Sequence, residues 1–583
     1  LRGDTHRGVT PRLMAELVDT AELVGGRAAE DLVSGPFASK VRRLAAPAQL
    51  AYVEQELLSV VRRLAGAEAE HVLATTPFME AGIDSLAATE LAARVGELSG
   101  LRLQPTLIFD HPTARQLADA VIGSEQADGR RPAEPKAAGG SRTKARIVSA
   151  SVRAGGPAAS LRQLWAVVGC SAEAAGPVPP FSRWGTPAGE VQASLLGGAE
   201  LFDNHHFGVS PSEASVADPQ QRLLMEEGYT ALHSAAVTRS AAGAPVSVSL
   251  GIWASEYFEV IAGSDSRNSV YAATAVSCSV AAGRLSYVLG LMGPAVSFDT
   301  ACSSGLVACH GGSATIQCGP CDSALVAGVN MIFSPQTCRV MATAGMTSPR
   351  GRSSTFDRLA DGYCRGEACC CVVLQPAGGS ACDGPLLDSS AVMHDGKSAS
   401  LTAPNGRAQQ LVLQAAISAA GRSAQEVSCV EAHGTGTALG DPIEVRSLEA
   451  TMGRRGVGGL ALVGVKAVVG HTEPAAGLAG LVALHQSLCY AMAPPNAQLR
   501  VLNPHVSSAL VGSSFALPVQ LGQRQLSSPS AVGGVSSFGY SGTIAHALLS
   551  VDPGRPAPAP TLLPPRLRRR RYAWAESPHP LAS

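Results

Sequence analysis

Four short stretches hold the residues best placed to do chemistry. Asp299-Thr300-Ala301-Cys302-Ser303-Ser304-Gly305 follows a β-branched run and leads into a segment rich in Gly and Ala. A strand–turn–helix junction there exposes the Cys302 thiol at a helix N-terminus, where thiolate formation is favoured. Glu431-Ala432-His433-Gly434-Thr435-Gly436-Thr437 puts His433 at a strand end, and Gly464-Val465-Lys466-Ala467-Val468-Val469-Gly470-His471-Thr472-Glu473 does the same for His471. One cysteine with two distant strand-end histidines is what carbon–carbon condensation on a thioester requires. A thiolate takes an acyl chain, and two imidazoles stabilise the enolate oxygen formed when a malonyl-type partner loses carbon dioxide. The fourth stretch, Gly82-Ile83-Asp84-Ser85-Leu86, sets Ser85 behind a helix-capping Asp, where a phosphodiester would meet free N–H groups. Taken singly, each has a plainer reading: Cys302 is one of 14 cysteines, a residue type often buried for packing, and Ser85 suits an ordinary helix start.

These residues need elements to hold them. From Pro47, Leu50, Val53, Leu57, Val61 and Leu64 recur at helical spacing. A second helix is expected after Asp84 through Leu86, Leu91, Val95 and Leu98, and Thr113 with Gln116 forms a capping box for a third through Leu117 and Val121. The result is a small all-α bundle over 47–123, preceded by a stretch without motifs (1–46) and followed by a polar, Gly/Pro-rich linker (124–145). From 146 to 550 the texture changes. Buried strands are expected at 246–252, 295–299, 324–329, 369–374, 427–431, 460–465 and 531–536, separated by small-residue helices, which argues for a layered α/β domain. No internal repeat of fixed period is visible. Residues 551–583 form a Pro-rich tail with Arg566 and Arg568 to Arg571.

Composition sets the outer limits. The 583 residues are 46% apolar and only 16% charged, enough to bury large cores and against extended disorder. Lys and Arg number 45 against 46 Asp and Glu, so no global basic field exists to hold nucleic acid. Apolar runs break well short of a membrane span. All cysteines lie between Cys170 and Cys489, three of them consecutive (Cys369 to Cys371), which points to core packing in a reducing, cytoplasmic setting rather than a disulfide framework. The chain opens without Met or a signal pattern and reads as part of a longer polypeptide, with organelle targeting left open. Cys318-Gly319-Pro320-Cys321 has the letters of a redox pair but not its context. His205-His206 suits a surface turn, and no metal site is expected.

Around Ser85, Pro77-Phe78-Met79-Glu80 and Leu107-Ile108-Phe109-Asp110-His111-Pro112-Thr113 complete a segment that resembles acyl carrier domains of polyketide and fatty-acid synthases. Residues from about 147 to 550 resemble the β-ketoacyl synthase of modular (type I) polyketide synthases, of the thiolase-like superfamily. Besides the Cys and His motifs, the resemblance rests on Asp218-Pro219-Gln220-Gln221-Arg222, Ala282-Gly283-Arg284-Leu285-Ser286-Tyr287, Thr402-Ala403-Pro404-Asn405-Gly406 and Ser537-Phe538-Gly539-Tyr540-Ser541-Gly542-Thr543. It implies a thiolase-like α/β core behind a carrier bundle, 4′-phosphopantetheine on Ser85, Cys302 as acyl acceptor, and His433 and His471 as the decarboxylation pair. It further implies that Lys466 supports the second His, that backbone N–H groups of Cys302 and Tyr540 form an oxyanion hole, and that Thr435 and Thr437 touch the pantetheine arm. Implied partners are other carrier domains, an acyltransferase, a phosphopantetheinyl transferase, malonyl-type extender units and a second copy of the chain. The sequence departs from the family where Val468 and Ile544 replace asparagines; the pair is expected to be buried and to face one another. Those departures keep a non-extending condensing domain as the first rival, with an idle carrier-docking scaffold second. Tyr572-Ala573-Trp574, with His579-Pro580-Leu581, resembles the lead-in to a dehydratase domain, and the Arg run is expected to pack back on the core.

Overall fold

The computed structural model describes residues 46–65, 72–76, 78, 81, 90–91, 94–95 and 113–123 of an amino-terminal unit. It describes 144–574 of a second unit, apart from 179–190, 238–244, 320, 379–383, 399, 454–458, 524–530 and 552–564. In the first unit, α1 (Ala46–Ala65) and α2 (Ala114–Gly123) bury Val53, Leu57, Val61, Ala114 and Leu117 with Leu91 and Val95 in one apolar cluster. Thr113 Oγ1 accepts the Gln116 N–H at 3.2 Å, the cap read from the sequence. Ser85, Leu86 and Leu98 lie outside the described residues.

The second unit is built on strands β1 (Ala145–Ala154), β2 (Val246–Gly251), β3 (Ala295–Phe298), β4 (Ser323–Asn330), β5 (Ala368–Pro376), β6 (Leu386–His394), β7 (Val427–Glu431), β8 (Leu460–Val463), β9 (Phe515–Ala516), β10 (Ala531–Phe538) and β11 (Thr543–Val551). Their order is β9-β8-β7-β10-β11-β6-β1-β5-β4-β2-β3. The sheet is really two halves, since β6 and β1 meet only at Ala145↔Leu387 and Arg146↔Leu386. Each half repeats one scheme. β3, β2 and β4 are parallel neighbours, with β5 and β1 added antiparallel. β8, β7 and β10 are likewise parallel, with β11 and β6 antiparallel. The fold is therefore a duplication that no sequence period announces.

Within each half one helix follows the outermost strand of the parallel trio: α3 (Ser304–Cys318) after β3, and α4 (Ala476–Cys489) after β8, beyond which the two-residue β9 is added in parallel. Both sit in the main core. Every residue of α4 except Cys489 is buried, so its polar-poor sequence is that of a helix covered all round. Strands β2, β4 and β10 are buried along their whole length, and between their apolar residues they carry only small or amide side chains such as Ser247, Ser249, Asn330, Ser536 and Ser537. Cys370 faces the cluster containing α3 and α4, while Cys369 and Cys371 face the opposite one, as strand alternation requires.

Expected strand ends shift by up to two residues, and β6, β9 and β11 were not among the expected strands. Val463 ends β8 because Val465 already opens the short helix Lys466–Val469. β6 carries Asp388, Ser389 and Ser390 mid-strand, and β11 spaces Ile544, Ala545, Leu548 and Leu549 like a helix, so neither shows the strand signature. In the tail, Arg570–Arg571 pairs antiparallel with Leu201–Phe202, Arg569 Nε lies 2.8 Å from Glu226 Oε2, and the Tyr572 and Trp574 rings flank the buried Arg222 guanidinium. Among the described residues no helix is long and apolar enough to cross a membrane.

The N-termini of α3 and α4 touch through glycine. A Cβ on Gly477 would lie 2.9 Å from the Leu306 nitrogen, and one on Gly305 would lie 2.9 Å from the Pro474 carbonyl oxygen. Gly477→Ala gains up to about 1 kcal/mol of helix propensity, yet overpacking against backbone costs about 1–3 kcal/mol. The variant should therefore melt lower than the wild type; thermal unfolding followed by circular dichroism checks this, and an unchanged or raised midpoint contradicts the close approach.

Candidate active site

The duplication places Cys302 at the β3–α3 junction and His471 at the β8–α4 junction, equivalent points in the two halves. Because the helix N-termini meet, His471 Nε2 comes to 3.1 Å from Cys302 Sγ. The junction before Cys302 is tight. Ala301 adopts φ 56°, a left-handed conformation costly for a residue with a Cβ, and the Asp299 carboxylate accepts its N–H. Ser304 Oγ accepts the Thr300 N–H at 2.9 Å and donates to the Ala301 carbonyl at 2.6 Å. Gly539 is required opposite this turn, since a Cβ there would lie 2.3 Å from the Thr300 oxygen.

β10 and its hairpin to β11 close the site from the other half. Ser537 Oγ donates to the Cys302 carbonyl at 2.7 Å, and the backbone N–H of Tyr540 faces the Cys302 sulfur, as does the N–H of Cys302 itself. The Phe538 N–H donates to His433 Nδ1 at 3.3 Å, and the Phe538 ring lies against the His433 ring at 5.3 Å. The two imidazoles are 5.7 Å apart, nearly perpendicular. His471 Nδ1 accepts the Glu473 N–H at 3.2 Å, and the Tyr363 ring covers His471 at 4.8 Å. Both Nδ1 atoms thus act as acceptors, which puts the single proton of each neutral imidazole on Nε2. Burial, joined by the Lys466 charge, holds both histidines well below the usual imidazole range.

Lys466 is buried with Glu431, Glu444 and Asp441 around it, and burial lowers its pKa. Burial raises the three carboxyls, Glu444 to about 7 and Asp441 to about 6. They also fix the His433 loop. Glu444 accepts the N–H groups of His433 and Gly434 at 2.7 and 2.8 Å, Asp441 those of Gly436 and Phe356, and Glu431 that of Val465. The Thr435 and Thr437 hydroxyls are 3.2 Å apart on this loop.

A second buried network stands behind His471. Arg365 donates from Nε and Nη2 to the Glu473 carboxylate at 2.6 and 2.9 Å, and Nη2 also reaches Glu256 at 2.6 Å. Asn330 Nδ2 donates to Glu473 at 2.9 Å. The His471 backbone is laced to 364–366 through its N–H to the Cys364 oxygen and its carbonyl to the Gly366 N–H.

Cys302, His433, His471, Lys466 and the Tyr540 N–H converge; Ser85 lies outside the described residues. Two expectations need correcting. The Cys302 thiol does not rest as a ready thiolate: burial pushes it up to about 12, Glu473 adds to this, and Lys466 and the two backbone N–H groups only oppose it. Val468 and Ile544 are both buried, but in different apolar clusters. Val468 joins the core around α3 and α4, whereas Ile544 pairs across the sheet with Phe538 and Met393, so they form no packed pair. Sequence reading also passed over Arg365, Tyr363, Glu444 and Glu473. Glu473 stood two residues from His471, yet nothing local told it from a surface Glu.

Matches to known proteins follow the same division. The family model for the β-ketoacyl synthase N-terminal domain matches residues 145–378, that for its C-terminal domain 386–500, and one for a phosphopantetheine attachment site 55–121, a span that includes Ser85. The chain is 36% identical over 506 residues to the spectinabilin polyketide synthase system protein NorC of Streptomyces orinoci, covering 83% of this chain and 22% of that one. To the erythronolide synthase EryA2 of Saccharopolyspora erythraea it is 34% identical over 569 residues, 93% of this chain and 16% of that one. The chain thus spans less than a quarter of either relative. A ketosynthase from module 6 of the bacillaene synthase of Bacillus subtilis 168 superposes with a TM-score of 0.64 at 30% identity, covering 70% of this chain and 72% of that structure.

With the thiol held up to about 12, the thiolate fraction of Cys302 should rise about tenfold per pH unit from pH 6 to 10. Inactivation by iodoacetamide followed against pH should climb across that whole range; a plateau below pH 8 would contradict the buried, neutral thiol.

Proposed function

We infer that this chain, which belongs to the β-ketoacyl synthases of modular polyketide synthases and carries a phosphopantetheine-attachment domain ahead of the synthase, extends acyl chains by decarboxylative Claisen condensation. The observation that carries the reading is the Cys302–His471 contact of 3.1 Å beside a second imidazole, both with their proton on Nε2. Phosphopantetheine on Ser85 supplies the thiol that presents acyl and malonyl-type units as thioesters. Thr435 and Thr437, with adjacent hydroxyls on the His433 loop, suit the amides of such an arm.

Cys302 attacks the incoming acyl thioester while His471 Nε2–H stabilises the charge growing on its sulfur. The N–H groups of Cys302 and Tyr540 hold the oxyanion, and the thiol proton leaves with the departing thiol. For the extender unit, the Nε2–H groups of His433 and His471 donate to the thioester carbonyl as the carboxylate leaves as carbon dioxide, holding the enolate oxygen. The enolate carbon then bonds to the acyl carbonyl carbon as the C–S bond to Cys302 breaks, and the expelled thiolate takes one proton from solvent, the proton the decarboxylation consumes. Lys466 is a positioning residue whose charge keeps both imidazoles neutral. The rival without extension drew on Val468 and Ile544, but both Nδ1 atoms are satisfied by backbone N–H groups without either side chain.

On this reading the division into 47–123 as carrier and 146–550 as synthase stands, with 551–583 as a post-synthase segment. The partners are an acyltransferase, a phosphopantetheinyl transferase and other carriers. A cytoplasmic location accords with cysteines used for core packing, such as Cys309, Cys369, Cys370 and Cys371. A second copy of the chain is the partner proposed for β3, a strand that among the described residues is paired only with β2, and on which Val296 is 44% exposed near Tyr287 (88%) and Met292 (75%).

Three measurements test this. Treatment with coenzyme A and a phosphopantetheinyl transferase should add one phosphopantetheine mass, lost in Ser85→Ala. Holo-protein supplied with an acyl thioester and malonyl-loaded carrier should then yield β-ketoacyl product. Cys302→Ala should abolish condensation, and His433→Ala should cut it about 100-fold or more while acyl-Cys302 still forms. Condensation at the wild-type rate in His433→Ala would overturn the mechanism. By light scattering the wild type should be a dimer and Val296→Lys a monomer; a Val296→Lys dimer removes β3 from the interface.

A further inference from the structure

The hairpin that carries Tyr540 from β10 to β11 is anchored from outside by the end of β6. Within the hairpin, the Gly539 N–H donates to the Thr543 oxygen at 2.8 Å and the Gly542 N–H to the Gly539 oxygen at 2.9 Å. Tyr540 and Ser541 are exposed, so their conformation is not fixed by burial. Their neighbours do that work. His394 Nε2 lies 3.2 Å from the Ser541 carbonyl oxygen, and the Asp395 N–H donates to the Gly542 oxygen at 2.8 Å. The His394 ring also fills the space beside Gly542, whose φ is 94°; a Cβ there would come within 2.7 Å of the ring.

The tautomer of His394 follows from its other contact. The Gly396 backbone N–H donates to His394 Nδ1 at 2.9 Å, so the neutral ring carries its proton on Nε2 and donates it to Ser541. His394 is thus tied at both ring nitrogens, one to its own loop and one to the carbonyl that follows Tyr540. The 541–542 peptide whose carbonyl it holds is separated by one peptide from the 539–540 peptide whose N–H faces Cys302, within the same tight turn, and a rotation of this turn would swing that N–H away from the sulfur. Donors for an oxyanion are effective only when already aimed.

We propose that His394 is a positioning residue for acyl transfer, clamping the turn at 539–542 so that the Tyr540 N–H stays aimed at the oxyanion formed on the Cys302 thioester. This rests on the oxyanion-hole reading given above. It assigns His394 no contact with substrate.

The test compares two reactions of one sulfur. Acylation of Cys302 by an N-acetylcysteamine thioester passes through an oxyanion; alkylation by iodoacetamide does not. In the full chain, His394→Leu loses both ring contacts and should slow acylation about tenfold, chiefly in kcat, while Cys302 alkylation stays within twofold of wild type. His394→Gln, whose amide can donate to Ser541 and accept from Gly396, should recover most of the acylation rate. Intact-protein mass spectrometry reads both reactions, and the melting midpoint shows that each variant is folded. Equal acylation in His394→Leu and wild type would overturn the proposal, as would parallel loss of acylation and alkylation or a failure of His394→Gln to recover the rate. If the wild-type chain itself does not acylate on Cys302, it is the functional reading that fails.

Discussion

The meeting of two helix N-termini at Gly305 and Gly477 is the constraint on which the rest of this structure depends. Each helix closes one half of a duplicated sheet, and each begins within five residues of a functional residue, Cys302 or His471. Any side chain at either glycine would push the halves apart by the width of a methyl group, and a hydrogen-bond contact of 3.1 Å between Cys302 and His471 has no such slack. Chemistry is therefore assembled by packing in the deepest part of the molecule. The surface loops follow from it, since the Tyr540 hairpin and the His433 loop are extensions of β10 and β7, which flank one another in the same half.

Burial at this depth decides the electrostatics. A charged imidazole in the site would be costly, and a nearby buried lysine makes it more so; the outcome is two neutral rings whose Nδ1 atoms are occupied by main-chain N–H groups. Such rings are donors at Nε2 and poor bases. That suits stabilisation of an enolate better than proton abstraction, and it agrees with a Cys302 thiol that waits in its neutral form. The site is arranged to hold negative charge once it develops, and little charge is present before substrate arrives.

How much of this could be read from the sequence depends on how local each signal was. Cys302, His433 and His471 each sit in a run of Gly, Thr and Ser that marks a turn at a strand end, so their chemistry was legible without the fold. β2, β4 and β10 were legible because burial on both faces leaves short runs of β-branched and small residues free of charge. The duplication was not: the halves share topology through strand direction and order, which no residue spacing encodes. Nor were Arg365 and Glu473, 108 positions apart in sequence and joined by two hydrogen bonds in the core. The thiolate expectation failed for a related reason. A helix start favours the anion, but only the tertiary structure shows how completely Cys302 is taken from water.

Glu473 shows how the two networks are made to agree. Its backbone adopts φ 50°, a conformation costly for a residue with a Cβ, and its carboxylate is fully buried. Both costs are offset at one residue. The carboxylate takes two hydrogen bonds from Arg365 and one from Asn330, which compensates the buried charge, and the unusual backbone brings its N–H onto His471 Nδ1. Arg365 neighbours the residues that lace the His471 backbone through 364–366, so the guanidinium that neutralises Glu473 also belongs to the segment that fixes the histidine's main chain. Ring and backbone of His471 are thereby held by opposite ends of one salt bridge. The proton on Nε2, and with it the direction of the hydrogen bond to Cys302, is set by an ion pair that touches neither the sulfur nor any substrate.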